Sequence, residues 1–468
     1  MLNSANLSAN SYYIIIRETC LVEASLKARS PWLVLVLALT LLAPVIIAPI
    51  SAAESPHPRY RPGRIWVRFK DGNRATLNQR ARALGEGGPE AVIAPLDGVV
   101  LRVPVGQEEQ VARRLAARSD VAYAIPIPKA HILEIPNDPG FTYQWALTQI
   151  NAPAAWDVVT CSSRMVVAVV DTGIDLSHPD LAAVVWTNPR EIPNNGLDDD
   201  GNGEVDDVHG WHYYTDDSGV SLEDNNVQDD NGHGTHVSGI IAAATNNNVG
   251  IAGLAWGATI MPVKVVDSTG NAYWDDVIKG IMYATDNGAR IINLSLGGPD
   301  AFAPLEEALA YAREHGVLVV AAAGNYGSST VLYPAAYPEA MAVAATDSSD
   351  QRASFSDYGP QISVAAPGVN IYSTYWQPGL DTYAYMSGTS MAAPEVSGLA
   401  ALVWARHPDY TPGQVEYTIE HTADDVNAAT NAGWDPYLGW GRIDAARAVT
   451  ELTPFPWVQK TYLPVIAR

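Results

Sequence analysis

From about residue 137 onward, short apolar runs alternate with longer amphipathic stretches, and this alternation restricts the possible folds more than any other feature of the chain. Met165–Val170, Ile260–Val266, Arg290–Ser295 and Val317–Ala322 are rich in aliphatic residues and have the length of strands buried on both faces. Between them, Tyr273–Asn287 and Pro304–His315 carry helical periodicity. Strands that alternate with helices imply an α/β fold, a doubly wound, mostly parallel sheet with helices on both faces. Ligands of such sheets bind beyond the carboxyl ends of the strands.

Three motifs fall at such positions. In Val169-Val170-Asp171-Thr172-Gly173-Ile174, a buried strand runs into an acid and a turn glycine. Asn231-Gly232-His233-Gly234-Thr235-His236-Val237-Ser238-Gly239 leads into a helix of small residues, and Ser387-Gly388-Thr389-Ser390-Met391-Ala392-Ala393-Pro394 is a turn into another. A serine hydroxyl is a weak nucleophile until a neutral imidazole takes its proton. A carboxylate then has to hold that imidazole in the right tautomer and stabilise the imidazolium. A serine at a helix start also lies where backbone N–H groups and the helix dipole favour negative charge. Taken singly, Asp-Thr-Gly reads as a turn, Gly-His-Gly as a helix entry and Gly-Thr-Ser as an N-cap. Asp-Thr-Gly also occurs in aspartic proteases, which need a second copy that this sequence lacks. The three motifs together in one α/β chain favour the catalytic reading.

These blocks resemble those of the subtilisin family, and residues 137–447 resemble its thermitase-like branch throughout. The resemblance implies a serine endopeptidase working through an acyl-enzyme, with Ser390 as nucleophile, His233 as general base and then acid, and Asp171 as the orienting carboxylate. His236 is left with a packing role on the same helix. In Ala321-Ala322-Ala323-Gly324-Asn325, the family's matching Asn donates to the oxyanion alongside the nucleophile's own N–H. Ser295-Leu296-Gly297-Gly298 matches the stretch that pairs with extended substrate, with Ala323 and Gly324 also on the substrate side. The resemblance implies broad cleavage after large apolar or aromatic residues. Trp274 reads equally as the floor of the S4 pocket or as a core aromatic.

At 468 residues the chain is longer than one domain needs. Residues 57–130 read as a small β-α-β-α-β unit. Arg64–Lys70, Val99–Val105 and Val121–Pro126 are its strands, and Leu77–Leu84 and Glu108–Arg118 its helices. By pattern and position this unit resembles a subtilisin propeptide, which implies a folding chaperone and temporary intramolecular inhibitor. Before it, residues 32–50 form one strongly apolar stretch after Lys27 and Arg29, followed by Ser51, Ala52 and Ala53. That is the layout of a secretory signal cleaved near Ala53, though the run is long enough to stay as a membrane anchor. The expected organisation is a leader over 1–53, a propeptide over 54–130 removed between residues 126 and 137, a catalytic domain over 137–450, and a tail over 451–468 without clear role. A secreted monomer acting on proteins and peptides is expected.

The net charge of −23 argues against nucleic acid as a partner, because phosphate binding needs a basic surface. The acid is uneven. Residues 191–230 hold thirteen Asp or Glu and no Lys or Arg, whereas residues 57–130 hold thirteen Lys or Arg against seven acids, so the two segments suit electrostatic docking. A solvated face is the plain reading of the acidic run. Its spacing suggests calcium instead: Asp198, Asp200 and Asn202 alternate, Gly203 follows, and Asp206 and Asp207 close the loop, with a carbonyl from Glu204. The closing Glu and helix pair of an EF-hand are missing. The resemblance implies a second calcium site from Asp138, Asp180 and Asn247 with carbonyls of Ala244, Val249 and Ile251. Removing the leader takes Cys20 and leaves Cys161 alone, so bound calcium would replace a disulfide as the staple.

One departure from the family is Glu395, where a His usually follows Met-Ala-Ala-Pro. One turn beyond Ser390 it need not touch the chemistry and activity is expected to survive, yet a carboxylate that near could raise the His233 pKa or shift the pH optimum. It also leaves room for a rival reading, a catalytically impaired, calcium-stabilised binding protein on a protease scaffold.

Overall fold

A computed structural model describes residues 60–70, 76–128, 135–214, 220–221 and 223–451. Cys20, Ala53, the apolar segment 32–50 and nearly all of the tail lie outside the described residues, as does most of the expected propeptide junction. Among the described residues no helix is long and apolar enough to cross a membrane. The chain divides into two compact units, one ending at Ala130 and one beginning at His131.

The first unit is a four-stranded antiparallel sheet in the order β2-β3-β1-β4, built from β1 (Tyr60–Phe69), β2 (Pro89–Ile93), β3 (Gly98–Arg102) and β4 (Val121–Pro128). Helices α1 (Leu77–Ala83) and α2 (Glu108–Ala116) complete it. Ile65, Val67 and Phe69 alternate inward from β1 and meet Leu77, Val111 and Leu115 in one core. Strand β2 was not expected. None of its residues is fully buried, so it has no inward alternation to read, and only its pairing with β3 makes it a strand.

The second unit holds a seven-stranded sheet in the order β11-β10-β9-β8-β5-β7-β6, parallel at every pairing. Its strands are β5 (Val166–Asp171), β6 (Trp211–His212), β7 (Thr259–Lys264), β8 (Ile291–Leu294), β9 (Leu318–Ala322), β10 (Ala340–Thr346) and β11 (Ile362–Pro367). Alternate side chains enter two separate cores. Val167 and Val169 of β5 face one, and Val166, Ala168 and Val170 face the other. Burial on both faces is why these runs are apolar without alternation.

On the first face lie the short helices α3 (Trp145–Gln149) and α4 (Ala152–Trp156), then α5 (His233–Ala242). Helices α6 (Trp274–Asp286) and α7 (Ala303–Glu314) cover the second face. The first face also takes α8 (Thr389–Arg406), α9 (Pro412–Thr422) and α10 (Ala445–Thr450). A separate antiparallel hairpin, β12 (Ile371–Gln377) with β13 (Leu380–Met386), packs on α5. Helix α8 is buried nearly all round, down to Trp404 at 1% exposure, so it is an interior helix rather than a surface one.

Candidate active site

Asp171 is the last residue of β5, His233 the first of α5, and Ser390 lies in the first turn of α8. His233 Nδ1 lies 2.7 Å from Asp171 Oδ1, and that oxygen also accepts the Thr172 N–H at 2.8 Å. Asp171 is 1% exposed, so its charge acts through little solvent. Burial pulls the imidazole pKa of His233 down. The charge of Asp171, its hydrogen bond and the charge of Asp229 outweigh that and leave it raised. His236 is fully buried with Nε2 3.1 Å from the carbonyls of Ile371 and Ala384, and burial pulls its pKa to about 3. It is a neutral packing histidine.

The Ser390 hydroxyl donates to the Ser295 carbonyl at 3.0 Å, and no hydrogen bond joins it to His233 among the described residues. In return, Ser295 Oγ donates to the Ser390 carbonyl at 2.8 Å. This second bond has a local cause. Pro394, four residues on in α8, has no N–H to offer that carbonyl. Ser295 makes good the lost bond and is itself held by Asn293, whose Nδ2 lies 2.9 Å from Ser295 Oγ and whose Oδ1 accepts from Ser397.

Asn325 follows β9. Its Oδ1 accepts from Thr389 N at 2.8 Å and from Thr389 Oγ1 at 3.0 Å, which turns Nδ2 toward Gly388. A Cβ placed on Gly388 would lie 3.4 Å from Asn325 Nδ2 and 3.6 Å from the Ser390 N–H nitrogen. Two donors therefore border one small space at an 18-residue helix's N-terminus, where an oxyanion is favoured. Thr389, which fixes this amide, is named in the Ser390 motif, but its role there is not legible from the motif.

Asp171, His233, Ser295, Leu296, Gly297 and Trp274 line one cleft. Leu296 and Gly297 have no backbone hydrogen-bond partner among the described residues, so an extended chain has an edge to pair with. Trp274 lines this cleft and also packs against the second core. Ala323 and Gly324 are fully buried with their backbones engaged: Ala323 O accepts from Leu332 N, and Gly324 N donates to Thr389 Oγ1. They shape the Asn325 turn.

The acidic loop sorts differently from its spacing. Asp198 and Asp200 converge with Glu191, seven residues earlier, so that one oxygen of each lies within 4.8 Å of the others. Burial raises the Glu191 pKa, and its Oε2 is buried without a hydrogen-bond partner among the described residues. Three hard oxygen donors and an orphaned carboxylate oxygen fit a divalent cation such as calcium. Asp206 accepts the N–H groups of Asn195 and Gly196, as Asp198 accepts those of Gly201, Asn202 and Gly203, while Asp200 pairs with Arg190 at 3.0 Å, and Asp206 lies outside the converging triplet. Asp207 is buried against Asn188, Asn202 and Tyr283, and Glu204 turns its carboxylate to Tyr213. Asn202 Oδ1 accepts from Glu204 N, so Asn202 braces the loop.

The residues of the second expected site do come together. Asp138 accepts from the N–H groups of Asn246 and Asn247 at 2.7 and 3.0 Å, and Asn247 Nδ2 donates to Asp180 at 2.9 Å. Asp180 O accepts from Ala244 N, Asp180 Oδ2 accepts from Ile251 N, and Val249 N donates to Asn247 Oδ1. Burial raises the Asp180 pKa.

Glu395 faces away from the site. It is 1% exposed beside Gln144, Trp145 and Ile240, its Oε2 has no hydrogen-bond partner among the described residues, and burial pushes its pKa up to about 8. The charges acting on His233 are those of Asp171 and Asp229, so the expected influence of Glu395 is not found. Burial pushes the Cys161 thiol up to about 12, so it is no nucleophile at neutral pH.

Residues 162–441 match the profile of the subtilase family, and residues 47–126 match the fervidolysin N-terminal prodomain. The chain is 42% identical over 315 residues to thermitase of Thermoactinomyces vulgaris, covering 67% of this chain and 99% of that protein. It is 39% identical over 395 residues to a thermophilic serine proteinase of Bacillus sp. (strain AK1), covering 84% and 88%. A solved structure of proteases from Pseudoalteromonas arctica PAMC 21717 superposes with a TM-score of 0.58 at 32% identity, covering 68% of this chain and 99% of that one.

Proposed function

Because the chain belongs to the subtilase family, as a serine peptidase with an N-terminal prodomain, we propose that Asp171, His233 and Ser390 perform its acyl transfer with Asn325 as oxyanion donor. The Ser390 hydroxyl leaves the Ser295 carbonyl, gives its proton to His233 Nε2 and attacks the scissile carbonyl carbon. Charge develops on the carbonyl oxygen and is met by Asn325 Nδ2 and the Ser390 N–H. His233 returns the proton to the leaving amine, and water repeats the sequence to release the acyl group. Asp171 stabilises the imidazolium throughout. The observation that carries this reading is the 2.7 Å contact between His233 and buried Asp171.

Substrate pairs as an added strand along Leu296–Gly297, so the backbone supplies affinity and the pockets supply choice. Val266, Ala272, Trp274 and Leu296, which line part of the cleft, support broad cleavage with apolar or aromatic residues preferred at P1. The leader over 1–53 directs secretion, and the prodomain over 54–130 restrains the enzyme until it is cut between residues 126 and 137. The catalytic domain spans 137–450 and acts as a monomer. Glu191, Asp198 and Asp200 hold one calcium ion, and Asp138, Asp180 and Asn247 hold another. These ions rigidify their loops and take no part in the chemistry.

Ser390→Ala is expected to accumulate as uncut precursor by intact mass, and only the unmodified, processed protein is expected to be labelled by a fluorophosphonate. Normal maturation of the variant by itself refutes self-cutting. Absence of labelling in the processed, calcium-loaded protein favours an inactive binding scaffold.

A further inference from the structure

The N-terminus of α5 has to be capped, because its first N–H groups have no helical acceptors. Its N-cap residue, Gly232, has φ +101° and no side chain to do so. A side chain there is excluded, since a Cβ would lie 2.6 Å from the Tyr375 ring and 2.8 Å from the Trp376 carbonyl. The cap comes instead from three residues upstream. Asp229, 1% exposed, receives five hydrogen bonds: Oδ1 from Thr172 Oγ1, Asn231 N and Gly232 N at 2.8–3.0 Å, and Oδ2 from Thr235 N and Thr235 Oγ1 at 2.9 and 2.5 Å. Thr172 Oγ1 in turn accepts from Gly234 N at 2.8 Å. One carboxylate thus ties the residue after Asp171 to the residues on both sides of His233.

We propose that Asp229 is a positioning residue for His233, joining the strand end of Asp171 to the helix start of His233 through Thr172. The inference rests on the reading of His233 as the base. Asp229 has two separable effects. Its hydrogen bonds set the angle at which the imidazole meets Asp171, and its buried charge favours the protonated imidazole. Among the described residues, the titratable groups on the segments around His233 include Asp171 at the end of β5, His236 on α5, Asp230 just before that helix, and Lys264 from β7. Lys264 Nζ donates to Thr172 O and Asp230 Oδ1, both at 2.7 Å.

The test compares Asp229→Asn, Thr172→Val and Thr172→Ser in the full, processed protein, by kinetics and by NMR titration of the His233 imidazole. Asp229→Asn keeps the shape but sets an amide against the Thr235 donors and removes the charge. It is expected to lower kcat by about 10–100-fold with KM little changed, and to move the His233 titration to lower pH. Thr172→Val cuts the tie without changing charge, so kcat falls while the titration shifts less, and Thr172→Ser restores kcat. Unchanged kcat in both Asp229→Asn and Thr172→Val, or an unmoved His233 titration in folded Asp229→Asn, overturns the inference. A shifted imidazole titration in a wild-type protein that hydrolyses nothing supports the positioning and refutes the catalytic reading instead.

Discussion

Glu395 shows how one buried side chain acts on stability without touching the chemistry. Its carboxyl group keeps its proton in the folded protein up to a pKa of about 8, whereas the unfolded chain releases it near the ordinary value of 4.5. Between those values the unfolded state holds fewer protons, so stability is full below 4.5 and is lost as pH rises toward 8. Glu395→Gln has no proton to lose. Its melting temperature in scanning calorimetry should match the parent at pH 4.5 and exceed it increasingly toward pH 8, a difference corresponding to about 1 kcal/mol or more of stability. The acid limb of activity should not move, because Glu395 is not among the charges acting on His233. The sequence identified Glu395 as a departure but not where it points, since a helical residue one turn from Ser390 has its direction set by helix packing.

At the scale of elements, β8 and the start of α8 stabilise each other. Pro394 interrupts the first turns of α8, and Ser295 at the end of β8 takes over the orphaned Ser390 carbonyl at 2.8 Å. Ser295→Ala leaves that carbonyl and the Asn293 amide unsatisfied, costing about 1–3 kcal/mol of stability in urea denaturation. Because the lost bond sits at the nucleophile's own residue, kcat should fall about 10-fold or more while KM changes less. Equal kcat in a folded variant would show that α8 holds Ser390 unaided. The sequence exposed Ser295 as substrate edge and Pro394 as part of a motif. Their partnership joins residues 99 positions apart, and no local pattern carries it. Strand β2 was missed for a similar reason, its character coming only from its neighbour.

For the whole molecule, what holds the fold is the open requirement, since no disulfide joins the described residues. Cys161 is a free, half-buried thiol, and the acid concentrated over residues 191–230 has no Lys or Arg within it. Cations bound only by the folded state add to its stability in proportion to the logarithm of their concentration. Removing calcium with a chelator should lower the melting temperature by several degrees, corresponding to about 3–4 kcal/mol at saturating metal. Glu191→Gln should recover less of that loss on calcium return than Asp206→Asn. Equal behaviour of the two variants, or no response to chelation, would remove the cation from the account.

The sequence by itself determined the parallel α/β sheet and the positions of Asp171, His233, Ser390 and Asn325. Buried strands must be apolar throughout, and the motifs are short enough for local chemistry to be legible. It also brought out the Asp138–Asp180–Asn247 cluster through family resemblance. Only the tertiary structure decided that Glu191 completes the acidic triplet, that Thr389 turns Asn325, and that Asp229 caps the helix of His233. Each of these contacts is made by a polar side chain whose partner lies on another element, and hydrogen bonds depend on distance and angle in space rather than on separation along the chain.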